Sequence, residues 1–173
     1  TQLTREQVQL LAEECDKNRI EFMASCFDLT RLQWLEAVGV KRHKIAFRER
    51  NNKQLVSAIA ATGKLILLST MVSGDHSHVE GWRDTLSLLY CVPEYPAHPS
   101  QLKLSAEMFL RCRNPVVSLR YEFYTVFSAG DAVGFAGFSD HSIGITAPIA
   151  AVALGAGIIE KHVKPANCVS PDA

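Results

Sequence analysis

The stretch AVGFAGFSDHSIGITAPIAAVALGAGIIEKHV, residues 132–163, decides the fold. An apolar run from Ala132 to Phe138 ends in the polar Ser139-Asp140-His141. An Ala-rich segment follows, Pro148 to Leu154, with proline near its first turn, where a missing N–H is tolerated. Gly155 then stops the helix. A second strand-length run, Gly157 to Val163, carries Glu160-Lys161-His162 near its end. Strands that read as apolar runs rather than strict alternations are covered on both faces. Joined by helices, they predict a parallel α/β sheet.

The same rhythm extends upstream. Strands are expected at Ile20–Ser25, His43–Phe47, Lys64–Thr70 and Leu86–Cys91, making six with the two above. Helices are expected at Thr4–Lys17, with Thr4 as N-cap and Leu3, Val8, Leu11, Ala12 and Cys15 at helical spacing. Others are expected at Leu29–Val38, stopped by Gly39, and at Lys53–Ala61. Further helical segments are read at Val79–Asp84, Leu104–Arg113 and Arg120–Phe127. Three prolines in VPEYPAHP, residues 92–99, exclude regular structure there.

A length of 173 residues fits a single domain, 1–173. Eighteen basic side chains cancel eighteen acidic ones, so no basic field points to nucleic acid. No apolar run reaches the roughly 18–20 residues of a membrane span. Five cysteines, an odd number without a CxxC pair, argue against a disulfide framework and for a reducing cytoplasm.

In parallel α/β architectures, reactive groups gather at the C-terminal ends of the strands. That rule selects Ser25, Phe47–Glu49, Ser69-Thr70, the residues after Cys91, Ser139–His141 and His162. His141 and His162 end consecutive strands. Neighbouring strands lie about 4.8 Å apart, so both imidazoles can reach one metal ion. The pair reads as a metal site or as two hydrogen-bonded structural histidines. Glu49 and Asp140 add carboxylates at the same rim. A mixed histidine and carboxylate set suits Mn²⁺, Mg²⁺ or Zn²⁺. Asp140 is either an orienting partner or an Asx-turn residue. Lys44, inside a strand, is either an anion-binding lysine or an exposed one at the strand's start. Hydroxyls at Ser69, Thr70 and Ser139 can hold phosphate oxygens and are also common turn formers.

These strand ends resemble the sialic acid synthase family, whose members include synthases for N-acetylneuraminic, legionaminic and pseudaminic acids and spore-coat polysaccharide proteins. The resemblance rests on FSDHS followed by the Ala-rich helix and EKHV. It also rests on HKIAF followed by Glu49-Arg50-Asn51-Asn52, on LILLST, and on LLYCVPEYPAHPSQLKL. It runs from about Leu3 to Asp172. It implies a TIM-type (β/α) barrel, here incomplete, with strands 3–8 of the family barrel present and the C-terminal antifreeze-like domain absent. It implies condensation of phosphoenolpyruvate with an N-acylated hexosamine in nonulosonic acid biosynthesis, by a homodimer. By the same resemblance, His141 and His162 hold a divalent metal, Mn²⁺ or Mg²⁺. Lys44, with Ser69, Ser139 and Ser25, holds phosphoenolpyruvate. Tyr95 and Asp172 face the sugar. Glu49 acts, with both histidines, at the reacting centre.

The chain departs from the family pattern at particular places. Phe47-Arg48-Glu49 stands where the family has Ser-Gly-Glu, Met71 where it has glycine, Pro93 where it has Thr or Asn, and Ser25-Cys26-Phe27 where it has Thr-Pro-Phe. These changes fall on the phosphoenolpyruvate half of the site more than on the metal half. Arg48 could supply a compensating phosphate contact. They motivate a rival reading, a non-catalytic barrel remnant serving as a binding or scaffold module. A third reading is a barrel lyase or aldolase using Lys44 as a Schiff base.

Overall fold

Leu86–Cys91 forms a strand in which every residue is buried, as its largely apolar character leads one to expect. The computed structural model describes residues 3–71, 85–110 and 134–164. In chain order its elements are α1 (Arg5–Lys17), α2 (Leu29–Ala37), β1 (Arg42–Ile45), α3 (Lys53–Ala60), β2 (Leu65–Thr70), β3 (Leu86–Cys91), α4 (Ala106–Leu110), β4 (Gly137–Asp140), α5 (Thr146–Ala153) and β5 (Ile158–Lys161). Short 3₁₀ turns occupy Phe47–Glu49 and Pro99–Gln101. The chain divides into two compact units, Thr1–Leu67 and Leu68–Ala173, and β2 runs through the division.

In the first unit each helix starts at a side-chain cap. The Thr4 hydroxyl accepts from Gln7 N–H at 3.2 Å, and the Gln7 carboxamide accepts from Thr4 N–H at 2.9 Å. Such a capping box contributes about 1 kcal/mol. Asp28 caps α2 through Arg31 N–H, and Asn52 caps α3 through Leu55 N–H. Leu55, Val56 and Ile59 are the buried stripe of α3. His43 of β1 is buried with its Nε2 2.8 Å from Glu36 Oε1, the oxygen that also receives Lys64 Nζ at 2.7 Å.

In the second unit β3, β4 and β5 neighbour one another in chain order. The β3–β4 and β4–β5 pairs are parallel. Tyr90 of β3 stacks on Phe138 of β4 with ring centroids 5.8 Å apart. β4 and β5 approach closely at Gly137. A Cβ there would meet the Ile158 carbonyl oxygen at 2.2 Å, so only glycine fits this rung. The β4–β5 register then runs Gly137↔Ile158, Phe138↔Ile159, Ser139↔Glu160, Asp140↔Lys161. α5 buries Pro148 and Ala151.

Several expectations are corrected. Five strands occur among the described residues, not six. Ile20–Ser25 makes a single bridge, Ser25 with Lys44. A strand needs consecutive backbone pairs, and the run is not packed on both sides, Ile20 being 61% exposed. Of the stripe expected on α1 only Val8 is buried, and Leu11 is 43% exposed. Among the described residues β4 begins at Gly137, Phe135 N–H being taken by the Met108 carbonyl of α4, while Ala132 and Val133 of the expected run lie outside the described residues. β1 ends at Ile45, where the chain turns into the 3₁₀ segment. The segments Val79–Asp84, Arg111–Arg113 and Arg120–Phe127, and Asp172, lie outside the described residues. No helix among the described residues is long and apolar enough to cross a membrane.

The tight rung predicts that Gly137→Ala lowers stability by about 1–3 kcal/mol through overpacking. Urea unfolding followed by circular dichroism measures this, and an unchanged midpoint would contradict the close approach.

Candidate functional site

Side chains alternate between the two faces of a strand. With Ser139 opposite Glu160 and Asp140 opposite Lys161, the next pair along is His141 and His162. Alternation places Ser139, His141, Glu160 and His162 toward one face and Asp140 and Lys161 toward the other. The contacts agree. The Ser139 hydroxyl donates to Glu160 Oε2 in a very short hydrogen bond, and the His141 and His162 rings meet edge to face with centroids 5.5 Å apart. On the other face Lys161 Nζ lies 2.8 Å from Asp140 Oδ2, and Asp140 is wholly buried. Lys161 also donates to the Ser142 carbonyl, while Asp140 Oδ1 accepts Ser142 N–H at 2.8 Å. Asp140 is therefore both an Asx-turn acceptor and an ion-pair partner, and it fixes the backbone on either side of His141.

His141 is buried and His162 is exposed. His141 Nδ1 lies 2.8 Å from the Val92 carbonyl oxygen. A carbonyl can only accept, so Nδ1 carries the proton and Nε2 keeps its lone pair. Burial pushes the His141 imidazole below the usual range, against the opposing pull of the Val92 carbonyl. A neutral ring anchored through one nitrogen is the usual condition of a metal-ligating histidine. By its donor chemistry the pair fits a divalent ion. Among the described residues, no third His, Cys, Asp or Glu completes a cluster with the two histidines.

Tyr95 comes from the proline-rich loop after β3. Its hydroxyl is 2.8 Å from His141 Nε2, and its ring lies on the His141 ring with centroids 3.9 Å apart. The loop is tied to His141 again by Ala97 N–H, which donates to the His141 carbonyl at 2.9 Å. Ser69, at the end of β2, donates to the same Glu160 oxygen as Ser139, at 3.4 Å. Thus Ser69, Tyr95, Ser139, His141 and His162 gather in the second unit.

The remaining candidates among the described residues lie in the first unit. Lys44 is buried, not exposed, and its Nζ donates to the Ile45 carbonyl at 3.1 Å. Ser25 pairs with it through the backbone bridge. Glu49 accepts Asn52 Nδ2 at 3.0 Å. Ser25 and Arg48 line one cavity of 470 Å³ together with Cys26, Phe27, Arg31 and Trp34. Arg48 lies over the Phe27 ring, 4.2 Å from its centroid. Burial pushes the Cys26 thiol up to about 11, which keeps it protonated and unreactive.

Two residues escaped the reading of the sequence. Glu160 collects both serine hydroxyls, and Lys161 neutralises the buried Asp140. Period-two alternation across SDH and EKH is the signal that could have found them.

A sequence model described as the NeuB family matches residues 1–170. The chain is 32% identical over 163 residues to the N,N'-diacetyllegionaminic acid synthase of Campylobacter jejuni, covering 88% of this chain and 42% of that protein. It is 27% identical over 168 residues to the N-acetylneuraminate-9-phosphate synthase of Drosophila melanogaster, covering 93% and 41% respectively. Among solved structures it resembles the N-acetylneuraminic acid synthetase of Leptospira borgpetersenii serovar Hardjo-bovis, crystallised with citrate. That match has a TM-score of 0.71 and 32% identity, and covers 93% of this chain and 52% of the other. The chain spans less than half the length of these two curated relatives.

Two outcomes follow from these contacts. Removing only Lys161 strands a buried carboxylate, so Lys161→Met costs about 3–5 kcal/mol, whereas Asp140→Asn with Lys161→Met costs much less. Equal losses in urea unfolding would contradict the buried pairing. Burial also lowers the proton affinity of both His43 and His141. Unfolded histidines titrate near about 6.5, so below that pH the unfolded chain binds protons that the native rings refuse. Stability of the metal-free protein therefore falls as pH drops from 7 to 5. A flat profile in urea unfolding over that range would contradict it.

Proposed function

The chain belongs to the NeuB family, and from that premise we propose that it is the barrel portion of a nonulosonic acid synthase, condensing phosphoenolpyruvate with an open-chain N-acylated amino sugar at a divalent metal. The observation that carries this reading is the pair of rings at the ends of β4 and β5, one of them neutral and anchored through Nδ1 to the Val92 carbonyl.

His141 and His162 would hold Mn²⁺ or Mg²⁺. The ion, when bound, supplies Lewis-acid polarisation of the sugar aldehyde. The chain's own groups do the rest. Lys44 binds an anionic group of phosphoenolpyruvate, with Ser25 beside it. Ser69 and Ser139 contribute hydroxyls that Glu160 already orients. Tyr95 and Asp172 take the sugar, and Glu49 acts at the attacking water or the phosphoenolpyruvate carbon. In the same reading the protein works in the cytoplasm as a homodimer.

A second reading, a non-catalytic binding or scaffold module, is favoured by the loop after β1. Where the family has a small Ser-Gly pair, Arg50 stacks 3.8 Å from the Phe47 ring centroid and Arg48 stacks on Phe27. Large packed side chains there leave less room for phosphate.

Calorimetric titration with Mn²⁺ tests the metal half. Wild type binds one ion, and His141→Ala and His162→Ala each weaken binding at least about tenfold. Absence of Mn²⁺ binding by the folded protein would overturn the synthase reading. Release of inorganic phosphate from phosphoenolpyruvate with N-acetylmannosamine would eliminate the scaffold reading.

A further inference from the structure

The 470 Å³ cavity of the first unit has no part in the reaction proposed above. Its size is that of a small-molecule site, about 300–1,000 Å³. Of the residues assigned to phosphoenolpyruvate only Ser25 borders it; Lys44 and Glu49 do not, so the cavity is a separate place in the fold. Val8 of α1, Cys26 and Leu35 of α2 are buried walls and form its floor. Phe27, 43% exposed, and Arg48, its side chain 72% exposed, stand at the mouth.

The charges around it do not balance. Arg31 Nη1 lies 3.1 Å from Asp28 Oδ2, so these two walls neutralise each other. The Arg31 guanidinium also lies over Trp34, 4.8 Å from the ring centroid, which keeps that ring in the wall. Arg48 adds a second cation. It lies over the Phe27 ring at 4.2 Å, and Glu49 Oε1 stands 3.9 Å from its Nε, too far for a hydrogen bond. A guanidinium stacked by its face presents N–H groups along its edge, and two parallel N–H groups match the two oxygens of a carboxylate.

The apolar floor narrows the class of ligand. A phosphate dianion would give up hydration against Val8, Cys26 and Leu35 with one guanidinium to replace it. A ring bearing one carboxylate suits both halves. Phe27 and Trp34 offer aromatic surface for stacked or edge contacts, and Arg48 meets the charge at the mouth.

We propose that this cavity binds a small aromatic monocarboxylate, its ring against Phe27 and Trp34 and its carboxylate on Arg48. The proposal is independent of the metal site and of the condensation reaction.

Calorimetry with phenylacetate tests it. Wild type is expected to bind one molecule with Kd below about 1 mM. Phenylacetamide, which keeps the ring and loses the charge, is expected to bind at least about tenfold more weakly. Arg48→Gln, at an exposed side chain, is expected to weaken phenylacetate at least about tenfold and to leave phenylacetamide unchanged. Phe27→Ala is expected to weaken both. Equal affinity for phenylacetate and phenylacetamide would overturn the proposal, showing an apolar hollow without preference for an anion. Unchanged phenylacetate affinity in Arg48→Gln would overturn it by placing the anion elsewhere. No saturable binding of phenylacetate by the folded wild type would overturn it outright.

Discussion

The geometry of the site depends on the ion pair between Asp140 and Lys161, the last rung of the β4–β5 ladder. Asp140 is fully buried, where a lone carboxylate is untenable, so the pair holds the two strand ends in one register. With that register fixed, alternation delivers His141 and His162 as the next opposed residues. A slip of one residue would turn the histidines to the other face and bring the ion pair to theirs. Gly137, three residues earlier, permits the close strand approach on which the same register begins.

The rest of the second unit follows from that placement. With the His141 backbone held through Asp140 and Ser142, its ring reaches the Val92 carbonyl and its own carbonyl reaches Ala97 N–H. Those two bonds give a proline-rich loop its anchorage and carry Tyr95 over the imidazole. On the same face, Glu160 draws in Ser139 from β4 and Ser69 from β2, so three strands present polar groups together. A site of this kind is specified by strand register more than by loop conformation.

Much of this could be read from the sequence because two-sided burial leaves a plain signature. Leu65–Thr70 and Leu86–Cys91 are largely apolar runs and are strands with nearly every residue buried. Thr4 caps the first helix as expected, and Asp28 and Asn52 cap the next two. The histidine pair was legible because the rule of strand ends applies to it directly. Ile20–Ser25 has the same apolar look, yet pairing is a property of the neighbouring backbone and not of the run, and only Ser25 finds a partner. Glu160 and Lys161 were passed over for a related reason. Their roles come from which residue of β4 lies opposite, and that offset is set by packing at Gly137. Lys44 shows the converse, since its burial confirms a lysine held inside the protein while its sequence context allowed an exposed one.

The central claim is that the register of β4 and β5 builds a metal site on two imidazoles. Electron spin-echo spectroscopy of the Mn²⁺-loaded protein tests it most directly, because it detects ligand nitrogen. The account predicts modulation from two imidazole nitrogens, reduced to one in either single histidine variant. Bound Mn²⁺ without nitrogen modulation would contradict it.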